Sequence, residues 1–222
     1  MDGEVPTIAT LVVASVIAYV LGSLPTAYVA GRLKGVNIFQ VGSGQAGATN
    51  VFREVSRRLG IAVFFVDSTK GLLAVLSARW LGLDGGWLMF PAAAVILGHW
   101  NSPLTRFKGG DGVSSLTGVG LGLAPSALAL PYLLIAFITL AFNSRLAHPT
   151  LWGAVAGYLL FLGLAFSPAT NVDPLIVAAM TGLGVAILVH SLVYHRRERV
   201  LFRPEEVAPP ESESDSPLTH SR

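Results

Sequence analysis

The stretch LGIAVFFVDSTKGLLAVLSARWL, Leu59–Leu81, decides the fold. A bilayer core is crossed by about 20 consecutive apolar residues in a helix, and this stretch is long enough. Its interior carries Asp67 and Lys70, three residues apart and so on one helical face. Ionisable groups inside a span are costly and turn toward a polar cavity or toward each other. The stretch therefore reads as a transmembrane helix with one polar face. Two roles stay open for the pair. It is an ion pair that holds helices together, or Lys70 approaches an anionic ligand and Asp67 orients it.

The same apolar character recurs on both sides. Candidate spans run near Ile8–Ala30, Leu59–Leu81, Trp87–Leu104, Val113–Ala124, Ser126–Phe142, Leu151–Phe166 and Pro174–Tyr194. The fourth is short and glycine-rich, so the count is six or seven, and Ala124-Pro125 marks a break between the fourth and fifth. The chain of 222 residues is 52% apolar and 13% charged, against about 25% charged in soluble domains. It reads as an all-α integral membrane protein with about seven transmembrane helices. Asp2 and Glu4 replace the basic start of a signal peptide, so the first stretch is expected to be a retained span.

Lysine and arginine placement sets the orientation. With seven spans and the N-terminus outside, the inner side receives Arg32, Lys34, Arg53, Arg57, Arg58, Arg106, Lys108, Arg145, Arg196, Arg197, Arg199 and Arg203. The outer loops hold Asp84 and Asp173, with Arg79 nearby. The C-terminus is then cytoplasmic. Residues 1–203 form one polytopic membrane domain. From Pro204 the chain turns to Glu, Ser and Pro, and 204–222 reads as a disordered cytoplasmic tail.

Two glycine-rich segments interrupt the apolar text on the inner side. The first is Val41–Arg53, with Gly42, Ser43, Gly44, Gln45, Gly47, Thr49 and Asn50 ahead of Arg53. Glycines let backbone N–H groups approach an oxyanion closely, and consecutive N–H groups form an anion-binding nest. An arginine adds a planar fork of donors suited to phosphate. The second is Lys108-Gly109-Gly110-Asp111-Gly112, leading into the fourth span, where a helix N-terminus preceded by glycines also suits an anion. It reads equally as a flexible turn beside closely packed helices. His99, at the inner end of the third span, is a candidate base or phosphate donor, or a hydrogen-bonded interface histidine. His195, beside Arg196 and Arg197, reads first as a headgroup anchor and second as a substrate contact.

Several chemistries are excluded. A net charge of +2 does not suggest a nucleic-acid partner. With no cysteine there is no disulfide, thiolate metal site or cysteine nucleophile. The sequence has no G-x-x-x-x-G-K-[ST] loop, H-E-x-x-H pair or G-x-S-x-G elbow. An H-x-x-x-x-D acyltransferase pair fails at His99, where the position five later is Leu104. No metal site and no cofactor is expected.

Three blocks, in order, resemble the bacterial acyl-phosphate:glycerol-3-phosphate acyltransferase family (PlsY-type). They are Gly22-Ser23 through Gly42-Ser43-Gly44 and Gly47-Ala48-Thr49-Asn50 to Arg53, then Asp67 with Lys70-Gly71, then Gly98-His99 with Phe107-Lys108-Gly109-Gly110 and Gly112-Val113. The resemblance implies a seven-span membrane enzyme with its active site facing the cytoplasm in the cell inner membrane. Such an enzyme moves a fatty acyl group from acyl phosphate to the 1-hydroxyl of glycerol 3-phosphate. The products would be 1-acylglycerol 3-phosphate, a phospholipid precursor, and phosphate. It implies site roles for Ser43 and Arg53, no covalent acyl-enzyme, and an upstream enzyme that forms acyl phosphate. Both substrates carry phosphate, which matches two glycine-rich cradles.

The chain departs from that pattern near the site. Asp111 stands where a second basic residue is usual, Gln45 where asparagine is usual, and Glu198 follows His195 where asparagine is usual. Asn37 and Phe39 replace an aspartate and an arginine, and Ser114-Ser115 replace alanine-threonine. Two further readings follow, a substrate-shifted or non-catalytic paralogue that binds lipid phosphates, and a small-anion transporter. The transporter would need discontinuous spans in paired repeats, and the sequence offers none.

Overall fold

The computed structural model describes residues 5–141, 149–170 and 172–201. Among them every regular element is helical and there is no strand. The apolar stretches become α1 (Ile8–Ser23), α2 (Thr26–Arg32), α4 (Arg57–Trp80), α5 (Met89–Trp100), α6 (Val113–Leu123), α7 (Pro125–Ala141), α8 (Pro149–Ala165) and α9 (Pro174–Leu201). A short α3 (Ala48–Glu54) follows the first glycine-rich segment. Three segments reach spanning length and apolarity, namely Ile8–Arg32, Arg57–Trp80 and Pro174–Val193. The expected tail, 204–222, lies outside the described residues, as do Arg145 and Arg203.

The first expected span, Ile8–Ala30, is not one helix. Pro25 lacks an N–H and pushes Leu24 to extended backbone, with ψ 119°, so α1 ends at Ser23 and α2 starts at Thr26. At this break the Leu24 carbonyl accepts from the Thr26 N–H at 3.0 Å. Lys70 Nζ, on α4, donates to the same oxygen at 2.6 Å. The buried lysine thus ties α4 to the turn between α1 and α2.

Helix packing here is close and depends on glycine. A methyl group on Gly22 would lie 2.1 Å from the Val95 carbonyl oxygen, and one on Gly98 would lie 2.2 Å from that of Tyr19. α1 and α5 thus meet backbone to backbone through reciprocal glycines. α4 and α6 repeat the device, with Gly71 against the Ser115 carbonyl at 2.0 Å and Gly118 against that of Ser68 at 1.7 Å. Small residues let membrane helices approach where no hydrophobic effect drives them together. Ala14, Ala18, Ala74, Val75, Ala92, Val95 and Val119 fill the resulting thin core. Val12, Val16, Phe65, Leu73 and Leu188 point outward and stay exposed, as lipid-facing residues would. A second cluster of Ala27, Ala30, Ile38, Ala46, Val51 and Val63 lies under the first glycine-rich segment and supports it.

Candidate active site

The first loop is built around one side chain. Gly42 and Gly44 adopt positive φ, 55° and 66°, which turns the backbone over Asn50. Asn50 Nδ2 lies among three carbonyls, Ile38 at 3.1 Å, Val41 at 3.0 Å and Gln45 at 2.9 Å, and shares its two hydrogens among them. Its Oδ1 accepts from the Ser43 backbone N–H at 3.2 Å. Asn50 thus braces the loop from inside, and its amide is engaged there rather than toward an anion. Gln45 is buried, and its Nε2 has no partner. Ser43 is half-buried, while Thr49 and Arg53, on α3, are exposed.

The second loop leaves α5 at His99 and Trp100 and enters α6 at Val113. Arg106 and Phe107 both adopt left-handed backbone, φ 56° and 61°, as non-glycine residues rarely do. The Ser102 carbonyl accepts from the Phe107 N–H at 2.8 Å, and the Thr105 hydroxyl donates to the Lys108 carbonyl. The strain sits directly before Gly109 and Gly110, where backbone strain commonly marks a functional loop.

The two loops touch. The Ala46 N–H donates to the Gly109 carbonyl at 3.0 Å, and the Gly110 N–H donates to the His99 carbonyl at 3.3 Å. A methyl on Gly110 would lie 2.5 Å from both the Ala46 carbonyl oxygen and His99 Nε2. His99 Nδ1 stands 3.4 Å from the Ser115 hydroxyl. Beneath this junction is a cavity of about 10 Å³, room for a single water, whose wall also includes Leu24 and Pro25. Gly22, Thr26, Ala46, Asp67, His99, Ser102, Thr105, Lys108, Gly109 and Gly110 line it.

Asp67 and Lys70 resolve into different roles. Lys70 Nζ donates to Asp67 Oδ1 at 2.5 Å, to the Leu24 carbonyl and to the Thr26 hydroxyl. Three donors meet three acceptors, so Lys70 joins helices and is not left facing a ligand. Asp67 keeps Oδ2 buried, without a partner, on the cavity wall.

The structure therefore gathers His99, Lys108, Gly109 and Gly110 around one cavity, and brings the first loop against them through Ala46. Ser43, Thr49 and Arg53 do not line that cavity. Gly47 faces the Asp111 carboxylate, with a methyl there 4.0 Å from Oδ1. Gly112, at φ 90°, caps α6. His195 belongs to α9, and its side chain lies outside the described residues. Sequence reasoning missed Thr26, Ser102 and Thr105. Ser102, whose hydroxyl donates to the Ser23 carbonyl at 2.5 Å, was signalled only by a small polar residue next to Pro103.

Asp111 has a definite use. Its Oδ1 accepts from the Val113 N–H at 3.1 Å, so the carboxylate caps the N-terminus of α6. A helix end that could attract an external anion is partly satisfied by the chain's own.

Comparison with known proteins fits this geometry. The family model described as glycerol-3-phosphate acyltransferase matches residues 12–200. The glycerol-3-phosphate acyltransferase of Geobacter sulfurreducens is 38% identical over 180 residues, covering 81% of this chain and 87% of that relative. That of Hydrogenobaculum sp. is 32% identical over 195 residues, covering 86% and 93%. The Geobacter metallireducens protein is 45% identical over 113 residues, an alignment that spans 51% of this chain and only 58% of that relative. Among solved structures, PlsY (YgiH), an integral membrane glycerol 3-phosphate acyltransferase, superposes in its glycerol 3-phosphate form with a TM-score of 0.67 and 28% identity. That match covers 86% of this chain and 92% of PlsY. Its lysophosphatidic acid form gives a TM-score of 0.64 and 30% identity, over 86% and 91% of the two chains. The chain belongs to the PlsY-type glycerol-3-phosphate acyltransferase family.

Proposed function

We propose that this protein transfers a fatty acyl group from acyl phosphate to the 1-hydroxyl of glycerol 3-phosphate, for phospholipid synthesis. One observation carries the reading: two glycine loops, joined at Ala46 and Gly109, lie over a cavity walled by His99, Lys108 and Asp67. Two buried polar atoms without partners, one in the first loop and one on the cavity wall, support the reading. Buried Gln45 Nε2 is an unused donor for a phosphate oxygen, and buried Asp67 Oδ2 is an unused acceptor for a hydroxyl.

The reaction balances without a protein nucleophile. The 1-oxygen of glycerol 3-phosphate bonds to the acyl carbon, the bond from that carbon to the phosphate oxygen breaks, and phosphate leaves. The hydroxyl proton passes to a phosphate oxygen of the donor. The protein's part is positioning and charge stabilisation. Lys108 supplies the cation of the second loop. Ser43, in the first loop, and Arg53, on α3, are assigned to the second phosphate, and His195 is assigned a substrate contact. His99 holds the junction and donates to developing negative charge.

The chain is assigned seven spans with the N-terminus outside and the loops facing the cytoplasm of the inner membrane. The placement of Arg32, Lys34, Arg57, Arg58 and Arg106 supports this. Residues 1–203 are assigned to this membrane domain and 204–222 to a tail. An enzyme that forms acyl phosphate would supply the donor. A substrate-shifted paralogue is favoured by one observation, the Asp111 carboxylate on the α6 N-terminus.

Purified protein given acyl phosphate and glycerol 3-phosphate should release phosphate and yield 1-acylglycerol 3-phosphate by mass. No product above a lipid-only blank, from folded protein, would overturn the reading.

A further inference from the structure

The second loop is held by a device outside the cavity. Trp100, the last residue of α5, donates its indole N–H to the Asp111 carbonyl at 2.7 Å. The other feature of that indole is its stack on His190 of α9, with ring centroids 4.4 Å apart and planes 6° apart. Gly112 makes the approach possible, since a methyl there would lie 3.0 Å from Trp100 Nε1. At the same turn the Tyr19 hydroxyl donates to the Asn101 carbonyl at 2.9 Å, which anchors the end of α5 to α1. His99 and Trp100 are neighbours in sequence but serve opposite sides of the loop. His99 meets Gly110 and Ser115, and Trp100 meets Asp111 and His190.

We infer that Trp100 and His190 are positioning residues for the second glycine loop: the His190 ring fixes the Trp100 plane, and the indole N–H fixes the backbone at Asp111. The inference rests on the reading of that loop as a phosphate cradle. A stacked pair of rings holds a preferred relative orientation. Here it has an added geometric consequence. The indole cannot turn without leaving His190, so its N–H stays aimed at one carbonyl. The peptide that follows this carbonyl carries the Gly112 N–H, and Val113 follows with the N–H that Asp111 caps. The aim of the N–H groups at the start of α6 is thereby tied to α9, a helix remote in sequence. A neutral hydrogen bond contributes about 1 kcal/mol net, which corresponds to a roughly fivefold change in a binding constant.

The test uses the full chain in lipid vesicles. Trp100→Phe keeps a ring against His190 and removes the N–H. It should raise the KM for one of the two phosphate substrates about fivefold, change kcat by less than about twofold, and speed amide hydrogen exchange across 109–114. His190→Ala should produce the same split to a smaller extent, and His190→Phe, which restores a stacking ring, should recover most of it. Should Trp100→Phe fail to fold, the His190→Ala and His190→Phe pair carries the same readouts. Unchanged loop exchange, or faster exchange with both KM values unchanged, would overturn the inference. Exchange is measured without substrate, so an inactive unsubstituted protein counts against the proposed reaction and leaves the positioning claim to be decided by exchange.

Discussion

The two glycine loops are held in different ways. The first is braced from within, because Asn50 gathers the carbonyls of Ile38, Val41 and Gln45 and the N–H of Ser43. The second has bonds of its own, from Phe107 to Ser102 and from Thr105 to Lys108, and is braced in addition from without, by the His99 carbonyl, the Trp100 indole and the Ala46 N–H. It also carries two left-handed non-glycine residues, Arg106 and Phe107. A self-braced loop keeps its shape when neighbours move. A loop braced by neighbours follows them, so it is the one able to report helix motion to the site. The hydrogen bond from Ala46 to Gly109 makes each depend on the other.

Breaking the internal brace should have the largest effect. Asn50→Ala leaves the Ile38 carbonyl and the Ser43 N–H to find new partners, and the Val41 and Gln45 carbonyls keep only the Gly44 and Gly47 N–H groups, at a cost of about 2–3 kcal/mol. Turnover should fall by more than about a hundredfold, with a lower unfolding temperature in detergent. Wild-type turnover from Asn50→Ala would show the first loop to be held by something else. Next comes the joint. Gly110→Ala forces a methyl against the Ala46 carbonyl and His99 Nε2, and overpacking of this kind costs about 1–3 kcal/mol. Activity should drop about thirtyfold while the helical circular dichroism signal stays, since the clash is confined to the loops.

Charge should matter less, and it sharpens the contrast. Arg53→Ala should lower kcat/KM about tenfold, as loss of a charged hydrogen bond to an anion does. Lys34→Ala, on the same side, should stay within about twofold. Equal losses would mean that Arg53 serves topology alone. The smallest effect is expected at Asp111. Asn at position 111 can still accept from the Val113 N–H, so Asp111→Asn removes the charge and keeps the cap. KM for one phosphate substrate should fall about threefold at low salt, and the gain should fade as salt is added. A KM that does not move at any ionic strength would place the carboxylate out of reach of both phosphates.

Sequence reasoning recovered the apolar helices and their near order, because a spanning stretch is a strong one-dimensional signal. It also placed both loops and the pairing of Asp67 with Lys70. It missed the break at Leu24, although Pro25 was in view, because mean apolarity hides a single residue that lacks an N–H. It read Asn50 as a ligand contact and left Lys70 open between an ion pair and an anion contact, because both are polar residues in polar company. Only geometry reveals that their donors are already engaged by carbonyls of Leu24, Ile38, Val41 and Gln45. Trp100 went unread for the converse reason. An aromatic beside His99 looks like interface filler until its N–H is seen on Asp111.

The tie from Lys70 to the α1–α2 break also bears on how the chain enters the bilayer. A lone lysine or aspartate at mid-span opposes insertion by about 2.5–3.5 kcal/mol. In α4 the two sit one turn apart and can cross the translocon as a zwitterion with little net charge. Once α1 is alongside, the ammonium gains the Leu24 carbonyl and Thr26 hydroxyl as well. The two lysine N–H groups that Asp67 leaves free thereby latch α4 to the turn between α1 and α2.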